Sequence, residues 1–372
     1  MRILTVFGTR PEAIKMAPLV LALNKDDYFD HKVCVTGQHR QLLDQVLEIF
    51  EIVPDFDLNL MVRNQTLHSL TAEILIQVKE VLDEFKPAFV LVHGDTTTSF
   101  ATSLACFYSG IKVCHVEAGL RTGNISSPFP EEANRLLTAR LTEYHFAPTE
   151  RNVTALLNEG ISKNKIIKTG NTVIDALFWV VDHGKENAKE ISKSEVFNLL
   201  DGSRKILLVT GHRRESFGQG FIEICDALAA LAKQHPELEI IYPVHLNPKV
   251  RDTIFERISG IQNIHLIEPV SYLTFIFLMK SAYLILTDSG GVQEEGPSLG
   301  KPVLVMRDAT ERPEAVEAGT VKLVGANKMN IISGVNELLE NRTLYNEMSH
   351  AINPYGDGHA SERIVSFLKS IQ

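Results

Sequence analysis

Short runs of apolar residues, many of them β-branched, recur along the chain and alternate with stretches whose apolar residues have helical spacing. The runs are ILTVF, HKVCVT, AFVLVH and KVCHVE in the first half, and KILLVT, LEIIYPV, NIHLIE, YLILTD and PVLVM in the second. They are continuously apolar, which is typical of strands that are covered by helices on both faces. Strands that alternate with helices form parallel β-α units. The pattern therefore predicts an α/β protein with doubly wound parallel sheets.

The length of the chain predicts two domains. Its 372 residues exceed what one ordinary hydrophobic core serves, and the two sets of strands are separated by a charged stretch, residues 182–205, that is poor in β-formers. We place the domains at residues 1–175 and 176–357, and we expect a cleft between them.

Polar clusters follow five of the predicted strands directly. They read GTRPE, GDTTT, EAGLRTG, GHRRESFG and DSGG. Ligands of open α/β sheets bind at the carboxyl ends of the strands. Clusters from both halves of the chain therefore predict one ligand site.

The segment TDSGGVQEEG has the composition of a strand that turns into a helix. Gly290 and Gly291 let a ligand approach the backbone closely, and the N–H groups of a helix start suit a diphosphate. We expect Glu294 and Glu295 in the first helical turn, where carboxylates accept hydrogen bonds from sugar hydroxyls. The alternative is an ordinary helix start, with Ser289 as the cap and the glutamates complementing the helix dipole.

Two basic residues mark the start of the first predicted helix. Arg10 directly precedes Pro11, a residue that suits a helix start, and Lys15 follows about one turn later. Both side chains reach an anion at that helix start in one interpretation, and both are solvated surface charges in the other.

Three acidic residues stand near strand ends and a helix start in the first half. Asp95 follows FVLVH, Glu117 follows KVCHV, and Glu131 opens the helix that also carries Arg135. We expect burial and mutual repulsion to raise some of their pKa values, so that one carboxyl holds a proton while another accepts one. Such a set provides acid/base catalysis without a metal or cofactor. The alternative for Asp95 is a helix cap.

The second half adds a histidine and an arginine. His212, in TGHRRESFGQG, is a candidate donor to a phosphate or a leaving oxygen, and otherwise a loop histidine. Arg312 stands directly before a proline that begins a helix and is a candidate of the same kind. The alternative for Arg312 is an exposed surface charge.

Several classes of protein are not favoured by the sequence. It contains neither G-x-G-x-x-G nor a Walker A motif, and we interpret DFD, which follows Pro54, as a solvated loop rather than a metal site. The net charge of −9 gives no overall attraction to nucleic acid or anionic lipid, and the four cysteines form no CxxC pair. No apolar run reaches the roughly 20 residues of a membrane span. We predict a cytoplasmic protein without metal, cofactor, nucleic-acid or membrane partner.

The longer motifs, taken in order, resemble one family from end to end. They are FGTRPEAIKMAP, HGDTTT, HVEAGLRTG, PFPEEANR, GNTVIDAL, TGHRRE, YPVHLNP, TDSGG, GKPVLVMR, TERPEA and NPYGDGHAS. Together they resemble the non-hydrolysing bacterial UDP-N-acetylglucosamine 2-epimerases. The resemblance implies two Rossmann-like domains of the GT-B type, with a C-terminal helix at about residues 358–372 that packs back on the first domain. It also implies a homodimer that converts UDP-GlcNAc, bound between the domains, to UDP-ManNAc.

The resemblance implies roles for residues of the second domain. Ser289, Gly290 and Gly291 would hold the diphosphate, and Glu295 would bind the ribose hydroxyls. Two further side chains would contact UDP and one would lie near the uracil, namely His212, Arg312 and Phe275. Val270 stands where the family has a glutamine, so a uracil contact there is through the backbone or absent.

Residues of the first domain would face the sugar. By the same resemblance these are Arg10, Lys15, Asp95, Glu117, Glu131 and Arg135. The segment GQHRQLLDQV resembles the region for a second, activating UDP-GlcNAc molecule, so Gln38, His39 and Gln41 are candidates for an allosteric site.

The expected chemistry is elimination and re-addition of UDP through 2-acetamidoglucal, since the C2 proton of the sugar is not beside a carbonyl group. Two other functions stay open at this point. A GT-B glycosyltransferase would use the same UDP site with an acceptor sugar, and a sensor would bind the nucleotide sugar without turnover.

Overall fold

The structure is a computed structural model that describes residues 1–37, 40–62, 65–183, 204–213 and 217–371. The chain forms two compact units. Unit 1 comprises Met1–Trp179 and Tyr355–Gln372, and unit 2 comprises Val180–Pro354.

Unit 1 is built on a parallel sheet of seven strands in the order β3-β2-β1-β4-β5-β6-β7. The strands are β1 (Arg2–Phe7), β2 (Asp30–Val35), β3 (Phe56–Asp57), β4 (Phe89–His93), β5 (Lys112–Val116), β6 (Tyr144–Ala147) and β7 (Ile166–Lys168). The helices that begin before the second unit are α1 (Arg10–Asn24), α2 (Arg40–Ile49), α3 (Leu67–Phe85), α4 (Thr97–Tyr108), α5 (Glu131–Leu141), α6 (Glu150–Asn158) and α7 (Thr172–His183).

Unit 2 is built on a parallel sheet of six strands in the order β10-β9-β8-β11-β12-β13. The strands are β8 (Lys205–Thr210), β9 (Leu238–Pro243), β10 (Ile264–Ile267), β11 (Leu284–Thr287), β12 (Val303–Val305) and β13 (Val321–Leu323). Its described helices are α8 (Gln219–Gln234), α9 (Pro248–Ile258), α10 (Tyr272–Ser281), α11 (Gly290–Ser298), α12 (Pro313–Glu317), α13 (Lys328–Glu340) and α14 (Arg342–His350).

The last helix, α15 (Ala360–Ser370), belongs to unit 1 and packs on α1. Asp175 of α7 accepts hydrogen bonds from the first backbone N–H groups of α15, those of Ala360 at 3.2 Å and Ser361 at 2.7 Å. A carboxylate at this position satisfies N–H groups that have no partner within the helix.

The strands of both units are buried because helices cover each sheet on both faces. Residues of β4 and β11 are buried along the whole strand. The unit 2 core includes Leu207, Phe221 and Tyr242, all nearly or fully inaccessible. The α/β class with doubly wound parallel sheets, predicted from the continuous apolar runs, is confirmed.

One local prediction was wrong. Phe56 and Asp57 of the DFD segment form strand β3 instead of a loop, pairing in parallel with Cys34 and Val35. The strand is only two residues long, so it leaves little periodicity to recognise, and it exists because the outer edge of β2 has backbone groups to pair. Most of the predicted linker, residues 184–203, lies outside the described part of the chain.

Candidate functional site

Four charged side chains of unit 1 meet at the carboxyl end of its sheet. Glu117 directly follows β5, and Asp95 comes two residues after β4. Lys15 of α1 donates from Nζ to Glu117 Oε2 at 2.5 Å. Arg135 of α5 donates from NH2 to Glu117 Oε1 at 3.3 Å and from Nε to Asp95 Oδ2 at 2.9 Å. The sequence-predicted residues Lys15, Asp95, Glu117 and Arg135 are therefore one connected ionic cluster.

Glu117 is the most constrained member of this cluster. Its side chain is buried, and its backbone has φ +60°, a left-handed conformation that costs a non-glycine residue of order 1–3 kcal/mol. Arg135 also donates to the Glu117 carbonyl oxygen at 2.7 Å. The carboxylate is thus held in one orientation by backbone and side-chain contacts together.

The charge of Glu117 is set by its cationic neighbours. Burial acts to raise the pKa of this carboxyl, but Lys15, His93 and Arg135 outweigh it and hold the pKa well below its usual range. His93 Nε2 lies 2.8 Å from Glu117 Oε2 but off the direction of a hydrogen bond. The expectation that crowding of acids raises the pKa was wrong for Glu117, because the nearest charges are positive.

Asp95 is more accessible than Glu117. Its side chain is 30% exposed, and Asn134 Nδ2 donates to its backbone oxygen at 2.9 Å. The cap of α4 is the next residue, Thr96, whose hydroxyl accepts from Ser99 N at 3.1 Å. The alternative role of Asp95 as a helix cap is therefore wrong, and its carboxylate is available for the ion pair with Arg135.

Two predicted residues stand at helix starts in unit 1. Glu131 is the first residue of α5 and is half-buried, and Arg10 is the first residue of α1 and is also half-buried. Glu132, the neighbour of Glu131, is buried and accepts hydrogen bonds from the backbone of Thr122 and Gly123, both at 3.1 Å. That pair of contacts shapes the loop after β5.

Sequence reasoning missed Glu12 and His93. Glu12 is buried and accepts from the backbone N–H of Gly8 at 3.0 Å and of Thr9 at 2.8 Å. The spacing of Thr9 and Glu12 is that of a capping box, which was the available signal. His93 ends a buried strand directly before a glycine, and only the fold shows that Glu117, which follows the neighbouring strand β5, lies beside it.

In unit 2, helix α11 begins where the phosphate turn was predicted. Ser289 is the N-cap residue, but its side chain makes no capping hydrogen bond, and Gly290 and Gly291 are the first residues of the helix. Glu294 and Glu295 therefore lie in the second turn, not the first as expected. The first turn carries no acidic side chain, so the helix N-terminus keeps its positive potential.

The two glutamates of α11 have different partners. Arg312 Nε donates to Glu294 Oε1 at 2.5 Å, and both side chains are buried. The Tyr272 hydroxyl donates to Glu295 Oε1 at 3.3 Å. A Cβ atom added at Gly290 would lie 3.7 Å from the Arg312 guanidinium, so Arg312 stands directly beside the start of α11.

His212 lies next to the same turn and is organised by Asp288. Asp288, buried at the end of β11, accepts from the backbone N–H of His212 at 2.7 Å and of Arg213 at 2.8 Å. The imidazole rings of His212 and His245 stack with centroids 5.4 Å apart. Burial lowers the pKa of His212, with smaller contributions from His245 and Arg213, although Asp288 acts to raise it. The lowered pKa favours the neutral ring. Sequence reasoning missed Asp288, although an acid directly before a helix start was visible.

The remaining predicted residues are less informative. Val270 lies in the loop after β10 and Phe275 on α10, and both are half-buried. Gln38 and His39 lie outside the described residues. Gln41 is in α2, but its side chain lies outside the described part as well.

The described residues contain neither a candidate metal centre nor a candidate membrane-spanning helix. No group of three or more His, Cys, Asp or Glu side chains in the described ranges is arranged to hold a metal ion. No helix within those ranges has the length and apolar character to cross a membrane.

Comparison with known proteins gives full-length matches. The sequence model of one family, UDP-N-acetylglucosamine 2-epimerase, matches residues 21–369. A UDP-N-acetylglucosamine 2-epimerase of Yersinia pestis is 59% identical over 373 residues, with 100% of this chain and 99% of that protein covered. The protein of the same name from Escherichia coli K12 is 59% identical over 371 residues, with the same coverage.

Solved structures agree with these sequence matches. The UDP-GlcNAc 2-epimerase of Neisseria meningitidis bound to UDP-GlcNAc has a TM-score of 0.91 and 53% identity, with 100% of both chains covered. The enzyme of Methanocaldococcus jannaschii in complex with UDP-GlcNAc and UDP has a TM-score of 0.79 and 36% identity, again with 100% of both chains covered.

Proposed function

The chain belongs to the UDP-N-acetylglucosamine 2-epimerase family, and we propose how its two GT-B-like, Rossmann-type units divide the reaction of that family between them. The protein is an isomerase that interconverts UDP-GlcNAc and UDP-ManNAc by inverting C2 of the sugar. The ionic cluster of Lys15, Asp95, Glu117 and Arg135 is the observation that carries our assignment of the chemistry to unit 1. We assign UDP binding to unit 2.

The reaction proceeds by elimination and re-addition. A carboxylate removes the C2 proton, the C2–H electrons form the C1=C2 double bond, and the C1–O electrons leave with UDP. The products, 2-acetamidoglucal and UDP, stay bound. Protonation of C2 from the opposite face and attack of the UDP oxygen on C1 then give the epimer, so atoms and electrons balance without an external oxidant or reductant.

Unit 2 stabilises the departing UDP. The N–H groups at the start of α11 and the guanidinium of Arg312 offer positive potential to the diphosphate. His212, whose lowered pKa keeps it neutral, donates one ring N–H to a phosphate oxygen. Glu295 accepts from the ribose hydroxyls, and Phe275 and the backbone at Val270 lie on the uracil side.

Unit 1 carries the proton transfers. Glu117 and Asp95 are the groups that exchange a proton with C2, and Glu131 supports them from the start of α5. Because Lys15 and Arg135 keep Glu117 charged, its carboxylate also stabilises the positive charge that develops on the sugar ring as the C1–O bond breaks. Arg10, at the start of α1, contacts the substrate.

The two alternative functions are not favoured. A glycosyltransferase needs no fixed pair of carboxylates beside C2 of its donor, and a sensor needs no ionic cluster of catalytic type. We further propose that the enzyme acts in the cytoplasm as a homodimer, supplies ManNAc-type sugars for surface polysaccharides, and binds an activating UDP-GlcNAc near Gln38, His39 and Gln41.

The test is an incubation with UDP-GlcNAc alone in heavy water, followed by NMR of the nucleotide sugars. We expect UDP-ManNAc that carries deuterium at C2, and the same turnover after treatment with a chelator and removal of nucleotides by gel filtration. Product that retains hydrogen at C2 would exclude the elimination route. Turnover that depends on an added acceptor sugar would instead favour the glycosyltransferase.

A further inference from the structure

A single buried carboxylate, Glu12, joins two loops at the carboxyl end of the unit 1 sheet. Its Oε2 accepts from Gly8 N at 3.0 Å and from Thr9 N and Oγ1, both at 2.8 Å, in the loop between β1 and α1. Its Oε1 accepts from the Thr96 hydroxyl at 2.6 Å in the loop between β4 and α4. The Ser99 hydroxyl of α4 lies 3.1 Å from the same Oε1 and also contacts the His93 carbonyl oxygen. The side chain of Glu12 is 2% exposed, so water does not replace these contacts.

The two loops that Glu12 joins lie next to different members of the ionic cluster. The β1–α1 loop leads into α1, whose next turn holds Lys15 against Glu117. The β4–α4 loop holds Asp95, directly before Thr96, against Arg135.

We propose that Glu12 is a positioning residue for the epimerase reaction: its carboxylate fixes the distance between the Lys15–Glu117 pair and the Asp95–Arg135 pair. This inference rests on the function proposed above. Glu12 does not contact the substrate. It acts because a shift of about 1 Å between reacting groups lowers a rate by roughly 10²-fold.

The hydrogen bond between Glu12 and Thr96 can be removed by changing Thr96. Thr96→Ala removes the shorter of the two hydroxyl contacts to Glu12 Oε1 and leaves the contacts of Glu12 with Gly8, Thr9 and Ser99 in place. It also removes the N-cap of α4, so a matched control is needed. Thr66→Ala provides it, because Thr66 is the N-cap of α3 and its hydroxyl accepts from Ser69 N at the same 3.1 Å.

The near end is tested by Glu12→Gln, which keeps the size of the side chain. With its oxygen facing Gly8 and Thr9, the amide nitrogen faces the Thr96 hydroxyl and can only donate to it, so the bond to a carboxylate becomes a neutral bond of reversed direction. The capping contacts are kept and the bridge is weakened. Thr96→Ser, which retains the hydroxyl, is the conservative variant.

We expect Thr96→Ala and Glu12→Gln each to lower kcat by about 10-fold or more, with KM for UDP-GlcNAc and the Kd of UDP unchanged. The double variant should have the same kcat as the less active of the two single variants, because both substitutions disrupt the same hydrogen bond. Thr96→Ser should restore most of kcat, and Thr66→Ala should lower the melting temperature like Thr96→Ala without lowering kcat.

The inference is overturned if Thr96→Ala lowers kcat no more than Thr66→Ala does, if the two single effects multiply in the double variant, or if KM alone changes. Should Glu12→Gln not fold, the comparison of Thr96→Ala with Thr96→Ser still decides. The Glu117→Gln variant, measured in the same assay, distinguishes failure of the proposed function from failure of the proposed role of Glu12. Normal turnover in Glu117→Gln would reject the proposed site, whereas an inactive Glu117→Gln beside fully active Glu12→Gln and Thr96→Ala would reject only the role of Glu12.

Discussion

Glu117→Gln should uncouple stability from activity when it is combined with a second change. The amide keeps the size of the side chain but removes the negative charge that faces Lys15 and Arg135, whose side chains are only 15% and 5% exposed. Removing one partner of a buried pair leaves a desolvated charge and costs about 3–5 kcal/mol. Arg135 keeps its bonds to Asp95 and to the Glu117 carbonyl, so we expect the lower end, about 3 kcal/mol.

The second change, Lys15→Met, removes the cation that Glu117→Gln leaves without its partner. We expect the double variant to recover more than half of the lost stability, because the buried ammonium is replaced by an apolar side chain of similar length. Activity should not recover. Glu117→Gln alone should lower kcat by at least ~10²-fold, as expected for the loss of a group in proton transfer, and the double variant should stay as low.

The chain provides a direct assay for the stability of unit 1. Its single tryptophan, Trp179, lies in unit 1 and packs against Phe50, with ring centroids 4.6 Å apart. Urea unfolding followed by tryptophan fluorescence therefore reports on this unit. The pKa of Glu117 is lowered, so its contribution is complete above the unfolded pKa of about 4.3 and is lost only as the pH falls through the folded pKa. The destabilisation by Glu117→Gln should accordingly be the same at pH 7 and pH 5.5.

Three outcomes would refute this reasoning. A destabilisation below about 1 kcal/mol, the value of an exposed pair, would mean that the charges are solvated. A double variant less stable than Glu117→Gln would mean that Lys15 is not the orphaned charge. Near-normal kcat in Glu117→Gln would mean that the acid/base site is elsewhere.

Two further predictions concern the helix start in unit 2 and the sheet of unit 1. Gly290→Val should weaken UDP binding at least tenfold, measured by calorimetry, while leaving the fold intact. A Cβ atom fits at 3.7 Å from Arg312, but the two γ-methyl groups of valine then occupy the space beside the guanidinium. Gly290→Ala is the control, and unchanged UDP affinity in a folded Gly290→Val variant would remove the diphosphate assignment. His145 is fully buried, and its desolvation lowers its pKa from 6.5 to about 4. As the pH falls, His145 takes up a proton in the unfolded protein before it does so in the folded protein. The free energy of unfolding is therefore unaffected above pH 6.5 and decreases as the pH drops towards 4, by about 2 kcal/mol at pH 5. Urea unfolding of His145→Asn should show a pH 7 to pH 5 difference smaller by about that amount, and an equal difference in both proteins would contradict the assignment.

The fold was predictable because its signal is local. Runs such as FVLVH and YLIL are buried on both faces. Asp95 and Asp288 come two residues after these runs, so the chain direction alone places them at the sheet edge. The same rule brought Glu117 and Asp95 together correctly, since β4 and β5 are neighbours in the sheet.

What sequence reasoning missed depends on partners that are distant along the chain. Glu12 was visible as half of a capping box, but its bond to Thr96 joins residues 84 positions apart. The charge of Glu117 depends on Lys15 and Arg135, which come from two different helices, so the direction of its pKa shift could not be found from the spacing of acids. Glu294 lies in the second turn of α11 because Gly290 and Gly291 begin the helix rather than precede it. Helix propensity does not decide between these two positions for glycine.

The position of α15 has a consequence for the order in which the protein is made. Unit 1 is interrupted by all of unit 2, and Ala360 and Ser361, which bind Asp175, emerge from the ribosome only after unit 2 has been synthesised. During translation, unit 2 has its whole sequence available first, while α1 waits with the surface that α15 later covers exposed to solvent. A chain cut after Pro354 would thus contain all of unit 2 but an incomplete unit 1, and it would expose to chaperones the apolar surface of α1 that α15 otherwise covers.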